Sequence, residues 1–223
     1  MRISGLILFS VILFGTFAGI SAQQENSSSI TVPAIPTVTF TLDFPISVPA
    51  HYSLRVAQDG KASYESMGKL TPEAEGDPFT YSFTMSEANR ALIFQLAERA
   101  KFFEGNVDYK KGHLANTGKK VLAYADGKLQ HETIYNYSTN PAIQQLTKIF
   151  QNTSATMESA RRLQYFHRYQ RLAVEEELKR MEEMAKGNSL DELQAIAPIL
   201  QEIAEDKAVL NVTRSRAVRL LGK

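Results

Sequence analysis

Strict alternation of apolar and polar residues marks the first element of the chain. Residues 37–44 read TVTFTLDF, with apolar side chains at every second position and threonine or aspartate at the others. A period of two predicts a β-strand with one buried side and one side in solvent. Residues 79–84, FTYSFT, repeat the pattern with aromatic side chains. Pro45 and Pro49 end the first strand because proline has no N–H to donate to a sheet.

The tripeptide Asp-Gly-Lys occurs twice, each time between stretches rich in tyrosine and in apolar or β-branched residues. These stretches are residues 52–66, YSLRVAQDGKASYES, and residues 120–137, KVLAYADGKLQHETIYNY. Asp-Gly is a favoured dipeptide in tight hairpin turns, so two antiparallel hairpins are predicted. We interpret Asp59 and Asp126 as turn residues rather than as a pair of catalytic carboxylates.

Two helices are predicted among these strands. Ser86, a favoured N-cap residue, precedes the amphipathic stretch EANRALIFQLAERAKFF, which ends before Gly105. Asn140 and Pro141 begin a second helix, since proline is tolerated in the first helical turn. Residues 37–151 are therefore predicted to form an α+β domain, in which an antiparallel sheet built from Asp-Gly hairpins packs with two helices.

The remainder of the chain has a helical pattern. Residues 156–186 contain neither glycine nor proline, and they predict one long helix with an apolar face. Ser189 and Glu192 have the spacing of a capping box for a following helix, which Pro198 is expected to kink. A last helix completes a C-terminal α-helical module over residues 156–223.

Several segments resemble a family of uncharacterised secreted bacterial domains. They are PAHYSLRVAQDGKASYES, MSEANRALIFQLAERAKFFEGNVDYKKG and ADGKLQHETIYNY, the last followed by NPAIQQLTKIF. The resemblance implies an exported protein with an α+β fold over residues 37–151, and it supplies no catalytic residues. Members often carry a cysteine just before the first of these strands, whereas residues 48–52 here, VPAHY, contain none.

Residues 193–221, LQAIAPILQEIAEDKAVLNVTRSRAVRLL, resemble a helical pair of the HEAT type. A single repeat of that type cannot bury its own apolar face. The resemblance therefore implies that the preceding helix or a partner covers this pair. An ordinary helical hairpin is the alternative.

The N-terminus has the pattern of a secretory signal peptide. Residues 1–24 read MRISGLILFSVILFGTFAGISAQQ, in which one arginine precedes an apolar run that ends in small residues. We predict cleavage after Ala22 and a periplasmic or secreted location, with residues 23–36 forming a flexible tether. The apolar run of about 15 residues is shorter than the ~20 that a spanning helix needs. An uncleaved membrane anchor is the alternative.

Charge and cysteine content narrow the class of protein. The chain has 25 Lys and Arg against 24 Asp and Glu, and residues 1–22 contain one arginine and no acid, so the mature chain is formally neutral. A neutral chain is not expected to bind nucleic acid, which favours a basic surface. Membrane contact is expected only through an uncleaved signal peptide. An exported chain without cysteine, and hence without disulfides, favours a bacterial source.

No catalytic, cofactor or metal site is predicted. The four histidines lack metal-ligand spacing, and no Gly-x-Ser-x-Gly nucleophile motif is present. Residues 112–120, GHLANTGKK, have the wrong glycine spacing for a phosphate-binding loop. Two carboxylates distant in sequence stay open as a catalytic alternative.

The predicted contact surface combines the second hairpin, its basic loop and the last helix. Tyrosine is common at interfaces, although packing in the core is the alternative for these tyrosines. The residues are Tyr124, Tyr135, Tyr137, Lys119, Lys120, Arg214, Arg216 and Arg219. The expected function is a non-catalytic binding or scaffold protein of the cell envelope, whose partner is an unknown protein or envelope component. A carboxylate-dependent hydrolase and a self-associating structural protein are the alternatives.

Overall fold

The structure is a computed structural model that describes residues 35–70, 76–111 and 114–222. The predicted signal peptide lies outside these residues, as does the predicted tether apart from Ile35 and Pro36. None of the helices in the described ranges is both long and apolar enough to cross a bilayer.

Six strands form one antiparallel sheet. In chain order they are β1 Thr37–Asp43, β2 His51–Ala57, β3 Lys61–Gly68, β4 Asp77–Thr84, β5 Lys119–Ala125 and β6 Gln130–Tyr135. Their order across the sheet is β4-β3-β2-β1-β5-β6, and every neighbouring pair is antiparallel. The predicted strands and both predicted hairpins are therefore confirmed.

The two Asp-Gly turns close the hairpins β2-β3 and β5-β6. Gly60 and Gly127 have φ angles of 93° and 87°, a conformation that glycine adopts without steric cost. The carboxylates of Asp59 and Asp126 accept hydrogen bonds from backbone N–H groups just beyond each glycine. Each aspartate is thus a turn residue, as predicted.

Five α-helices accompany the sheet. They are α1 Glu87–Arg99, α2 Pro141–Tyr169, α3 Ala173–Lys186, α4 Ala197–Glu205 and α5 Asn211–Leu220. Short 3₁₀ turns follow α1 at Lys101–Phe103 and precede α4 at Leu193–Ile196. Ser86 and Asn140 cap α1 and α2 with their side chains, as predicted.

One side of the sheet packs against helices, and the other faces solvent. Val38, Phe40 and Leu42 on β1 are buried, and the ring of Phe40 stacks on Phe150 of α2 with centroids 5.3 Å apart. Thr41 lies between two of these residues along β1 and is only partly buried. The alternation seen in the sequence therefore separates an apolar face under α1 and α2 from a polar face.

The prediction of one long helix over residues 156–186 is wrong. Helix α2 already covers the first half of this range, and the chain reverses at residues 170–172 before α3 begins. Residues 168–172 are all exposed, so no buried contact favours a straight continuation, whereas α3 packs back against α2. The domain boundary predicted at residues 152–155 falls inside α2, and the described residues on both sides of it share one core.

Two further details of the C-terminal helices differ from the predictions. Glu192 does not cap the helix that follows it; its carboxylate accepts hydrogen bonds from Ser86 and Asn89 at the N-terminus of α1. Pro198 lies in the first turn of α4 and begins that helix rather than kinking it. The fold as a whole is α+β with a C-terminal helical part, as predicted.

Candidate functional site

Two of the predicted surface tyrosines lie in the core. Tyr124 and Tyr135 are almost fully buried because their side chains point to the helix-covered face of the sheet. The ring of Tyr124 packs on Phe102 with centroids 4.5 Å apart, and the Tyr135 hydroxyl lies 2.6 Å from the Thr147 hydroxyl on α2. Neither residue is part of a contact surface, so this part of the prediction is wrong. Tyr137 is exposed, and its ring meets the edge of Tyr109.

Lys120, one of the two lysines predicted for the contact surface, is also buried. Lys120 is 4% exposed, and its ammonium group donates to the carbonyl oxygens of Thr117, Gly118 and Asn136 and to the Thr117 hydroxyl. Burial lowers the pKa of Lys120 below its usual value. This lysine therefore ties a loop to the end of β6, and Lys119 alone of the pair stays exposed.

The three arginines of α5 take part in contacts within the chain. Arg216 pairs with Glu175 and Glu182 on α3, and Arg219 pairs with Glu182. Arg214 donates to Asn211 at the start of its own helix. Arg216 and Arg219 therefore hold α5 against α3, and a contact of these three arginines with a partner stays a prediction.

A cavity of about 890 Å³ lies between the loop 44–50, the start of β2, and helices α2 and α3. Small-molecule sites have volumes of roughly 300–1,000 Å³ and combine apolar walls with a few polar groups. The apolar wall of this cavity includes Leu42, Val48, Pro49, Ala155, Phe166 and Met184. Its polar lining includes Tyr52, Ser154, Glu158, Arg162, Glu176, Glu177 and Arg180. None of these residues belongs to the contact surface that was predicted from the sequence.

Glu158 is one of two nearly buried acids that line the cavity, and it is 4% exposed. One carboxylate oxygen, Oε1, accepts from the Tyr64 hydroxyl at 2.9 Å and from the Ser66 hydroxyl at 2.6 Å. Ser154 lies 3.0 Å from the Tyr64 oxygen and completes a buried polar cluster between β3 and α2. The second oxygen, Oε2, accepts no hydrogen bond from any residue that the structure describes, and it is not among the fully buried polar atoms that lack a partner.

Arg161 lies one helical turn after Glu158 and is also nearly buried. Its Nη2 donates to the carbonyl oxygens of Gly68 and Asp77, and its guanidinium group lies over the ring of Phe79. Its Nη1 is 3.9 Å from Glu158 Oε2, beyond hydrogen-bond distance, and has no hydrogen-bond partner within the described ranges. Two opposite charges thus face each other in the protein interior without a direct hydrogen bond.

The other nearly buried acid of the cavity, Glu177, is engaged by arginines. Arg180 donates to both of its carboxylate oxygens, at 2.5 and 3.1 Å, and Arg162 lies 3.1 Å from one of them. Arg180 also donates to the Ser159 hydroxyl at 3.0 Å. These ion pairs join α3 to α2, so Glu177 has a structural role in the cavity wall.

The two tyrosines of the cluster stay protonated at neutral pH. Burial raises the pKa of Tyr52 well above its usual value, and the neighbouring Ser154 hydroxyl opposes the rise. Burial raises the pKa of Tyr64 further, with help from the negative charge of Glu158. Tyr64 is therefore a hydrogen-bond donor to Glu158, and Ser154 donates to the Tyr64 oxygen.

The sequence carries a signal for this cluster. Leu146 and Phe150 lie four residues apart on the buried face of α2, and two further steps of four lead to Ser154 and Glu158. Polar residues at positions where the spacing predicts apolar ones mark either a buried polar network or a site. The sequence gives no comparable signal for the partner residues on β3.

No group of three or more histidine, aspartate or glutamate side chains in the described part of the chain is arranged to hold a metal ion. A comparison with models of known protein families found no family model that matches the chain, and a search of curated proteins found no match. The resemblance to secreted bacterial domains therefore stays a prediction.

Proposed function

We propose that this protein is a non-catalytic binding protein that holds a small, largely apolar molecule in the cavity between the loop 44–50, α2 and α3. The observation that carries the proposal is the combination of an apolar wall with a buried carboxylate that keeps one oxygen free of hydrogen bonds within the described residues. Sites for small molecules have this composition. Export to the cell envelope, proposed from the N-terminal sequence, would place the ligand outside the cytoplasm.

The loop 44–50 beside the cavity supports the proposal. Ile46 and Val48, two residues apart in the loop 44–50, are 83% and 73% exposed, and exposed apolar side chains that cluster can mark a binding site. Val48 and Pro49 also line a second, smaller cavity of about 500 Å³ on the other side of the loop. Val48 and Pro49 of this loop therefore offer apolar surface to both cavities.

One observation favours the alternative of a carboxylate-dependent hydrolase. Glu158 and Glu177 are both nearly buried and line the same cavity. Such an enzyme needs one carboxylate as acid and one as base or nucleophile. Because arginines occupy both oxygens of Glu177, only Glu158 is available to a ligand, and we rank the hydrolase second. A binding assay that consumes its ligand in the wild type, but not after Glu158→Gln, would reverse this ranking.

Self-association, the third possibility, needs a test on the whole chain. A fragment that begins at residue 156 would start inside α2 and lose half of that helix. Light scattering of the intact protein is the suitable measurement.

The fluorescent apolar probe N-phenyl-1-naphthylamine tests the proposed site. Ala155 lies on α2 and faces the cavity, so Ala155→Trp fills the space in which the probe would bind. We expect the wild type to bind the probe saturably with enhanced emission, and Ala155→Trp to weaken binding at least about tenfold, since the volume is lost.

Gln145→Trp is the matched control, because Gln145 is an exposed residue of the same helix outside the cavity lining. It should bind the probe as the wild type does. Absence of saturable binding in the wild type, or equal binding by the wild type and Ala155→Trp, would contradict the proposed site. Circular dichroism spectra of the three proteins establish that each is folded.

A further inference from the structure

The two edges of the sheet differ in how they are covered. At the end of the edge strand β6, the Tyr109 N–H donates to the carbonyl oxygen of Tyr137, and the Thr133 hydroxyl donates to the carbonyl oxygen of Gly105. At the other edge, β4 pairs only with β3 among the described strands, and residues 78–84, PFTYSFT, carry no charged side chain. An uncharged edge strand that lacks a second neighbour is a surface on which another strand can pair.

The backbone of β4 presents hydrogen-bonding groups to this edge. In the continued register of β3 and β4, the Met85 N–H donates to the carbonyl oxygen of Gly60. Because hydrogen-bonded and non-hydrogen-bonded partners alternate in an antiparallel pair, the N–H and C=O groups of Thr80 and Ser82 point away from β3. Within the described ranges, no backbone group of another element bonds to them. Pro78 has the same orientation, so its missing N–H removes no bond to β3.

The side-chain pattern of β4 is symmetric about Tyr81. Phe79, Tyr81 and Phe83 lie on the helix-covered side of the strand and are half-buried, with neighbouring ring centroids 6.2 and 6.4 Å apart. Thr80 and Ser82 lie on the polar side and are exposed. Aromatic and hydroxyl side chains therefore alternate along this segment, and their order is the same in both chain directions from Tyr81.

This symmetry fits an antiparallel pairing of β4 with a second β4. A two-fold axis at Tyr81 places Phe79 opposite Phe83 of the second copy. The same axis places Thr80 opposite Ser82 of the second copy, so their outward backbone groups form a hydrogen-bonded pair. Aromatic pairs across neighbouring strands are stabilising, and the uncharged segment brings no like charges together.

We propose that two copies of this chain associate through β4, antiparallel and with Tyr81 on the two-fold axis, so that their six-stranded sheets join into one. The second copy fits this edge because one strand supplies both the outward hydrogen-bonding groups and the symmetric side chains. A symmetric dimer of this kind uses the same surface twice and is closed to further growth. No residue of β4 lines the cavity of the proposed function, so the association does not rest on that proposal.

The oligomeric state of the intact protein tests the association. Light scattering at rising protein concentration should show twice the monomer mass for the wild type. Thr80→Lys combined with Ser82→Lys places lysine opposite lysine in the dimer, and we expect the dissociation constant to rise at least about tenfold. Both side chains are exposed, so the fold should tolerate the change, which circular dichroism checks.

Gln130→Lys combined with Ile134→Lys is the matched control, because it adds the same two charges at exposed positions of the opposite edge strand, β6. It should dimerise as the wild type does. A wild type that stays monomeric, a β4 variant that dimerises as strongly as the wild type, or equal weakening in both variants would overturn the proposal.

Cross-linking tests the register, since the chain has no cysteine. In a hydrogen-bonded antiparallel pair the Cα atoms are about 5.5 Å apart, within reach of a disulfide, whereas diagonal neighbours lie beyond it. Thr80→Cys mixed with Ser82→Cys should give a disulfide-linked dimer on mild oxidation, at least about fivefold more than either variant alone. No cross-link in the mixture, or an equal amount in either variant alone, would contradict the axis at Tyr81.

Discussion

Two buried glutamates with the same exposure have different surroundings. Glu158 lines the cavity and Glu192 lies at the N-terminus of α1, and each is 4% exposed. Both oxygens of Glu192 accept hydrogen bonds, from the backbone and side chain of Ser86 and from the side chains of Asn89 and Gln194. Only one oxygen of Glu158 accepts hydrogen bonds within the described residues, from two hydroxyl groups.

The difference separates a structural carboxylate from a candidate binding group. The hydrogen bonds to Glu192 complete the cap of α1 and link the C-terminal helices to α1, so its acceptor capacity is used by the fold. Its backbone adopts a φ of 63°, a strained conformation for a residue other than glycine, which the surrounding contacts maintain. Glu158 keeps acceptor capacity that the fold does not use. Burial alone therefore does not distinguish a candidate binding carboxylate from a structural one. Glu158 differs from Glu192 because one of its oxygens accepts no hydrogen bond from the described residues.

Glu192→Ala is expected to have the largest effect on stability. It removes the acceptor for the donors of Ser86 and Asn89, and buried donors without partners are costly. We expect the free energy of unfolding to fall by about 3 kcal/mol, measured by urea denaturation. Glu183→Ala is the control, since Glu183 is exposed on α3, and its effect should stay within about 0.5 kcal/mol. An equal decrease in the free energy of unfolding in the two variants would contradict a structural role for the Glu192 carboxylate.

Arg216→Ala tests a third group of carboxylates, which lies nearer the surface. Burial raises the pKa of Glu175 and of Glu182, but the hydrogen bonds and charges of Arg216, and of Arg219 for Glu182, outweigh it, so both values lie below the ordinary 4.5. We expect a decrease in Tm of about 3 °C at pH 7, because ion pairs near the surface contribute modestly. Thermal unfolding followed by circular dichroism measures this change.

The pH dependence of the same variant follows from the sign of those shifts. A carboxylate with a lowered pKa in the folded state adds stability above its unfolded pKa, and that stability is lost as the pH falls through the folded value. The difference in Tm between the wild type and Arg216→Ala should therefore be constant above about pH 5.5 and shrink toward pH 3. A difference that grows on acidification would show that these ion pairs do not stabilise the contact between α3 and α5.

Glu158→Gln is expected to have the smallest effect on stability. The amide oxygen can still accept from Tyr64 and Ser66, so the free energy of unfolding should change by less than about 1 kcal/mol. The substitution would then test the role of Glu158 in the cavity while leaving the fold intact. A loss as large as that of Glu192→Ala in urea denaturation would instead mean that Glu158 serves the fold.

The strands, hairpins and helix starts could be predicted because local signals determine them. Alternation in β1, the glycine of each Asp-Gly turn, and the caps Ser86 and Asn140 all act within a few residues. The reversal between α2 and α3 has no such signal, because residues 170–172 contain neither glycine nor proline. It depends on the packing of α3 against α2, which the local sequence does not encode.

The candidate site could not be predicted for the same reason. Glu158 and Ser66 are 92 residues apart in the chain, and only the packing of α2 on the sheet brings them together. The tyrosines and arginines chosen from the sequence were selected by residue type, and the structure places Tyr124 and Tyr135 in the core and Arg216 in an internal ion pair. For such residues, contacts with residues distant in the sequence determine whether the side chain is exposed or buried.

Methyl NMR of the protein labelled with [¹³C-methyl]methionine gives the most direct test that the cavity is the binding site. The chain has six methionines, of which Met184 lines the cavity, while Met85 is buried in the core outside its lining. On titration with N-phenyl-1-naphthylamine, we expect a saturable shift of the Met184 signal and no change at Met85. Saturable binding of the probe that leaves the Met184 signal unchanged would contradict the proposal that this cavity is the binding site.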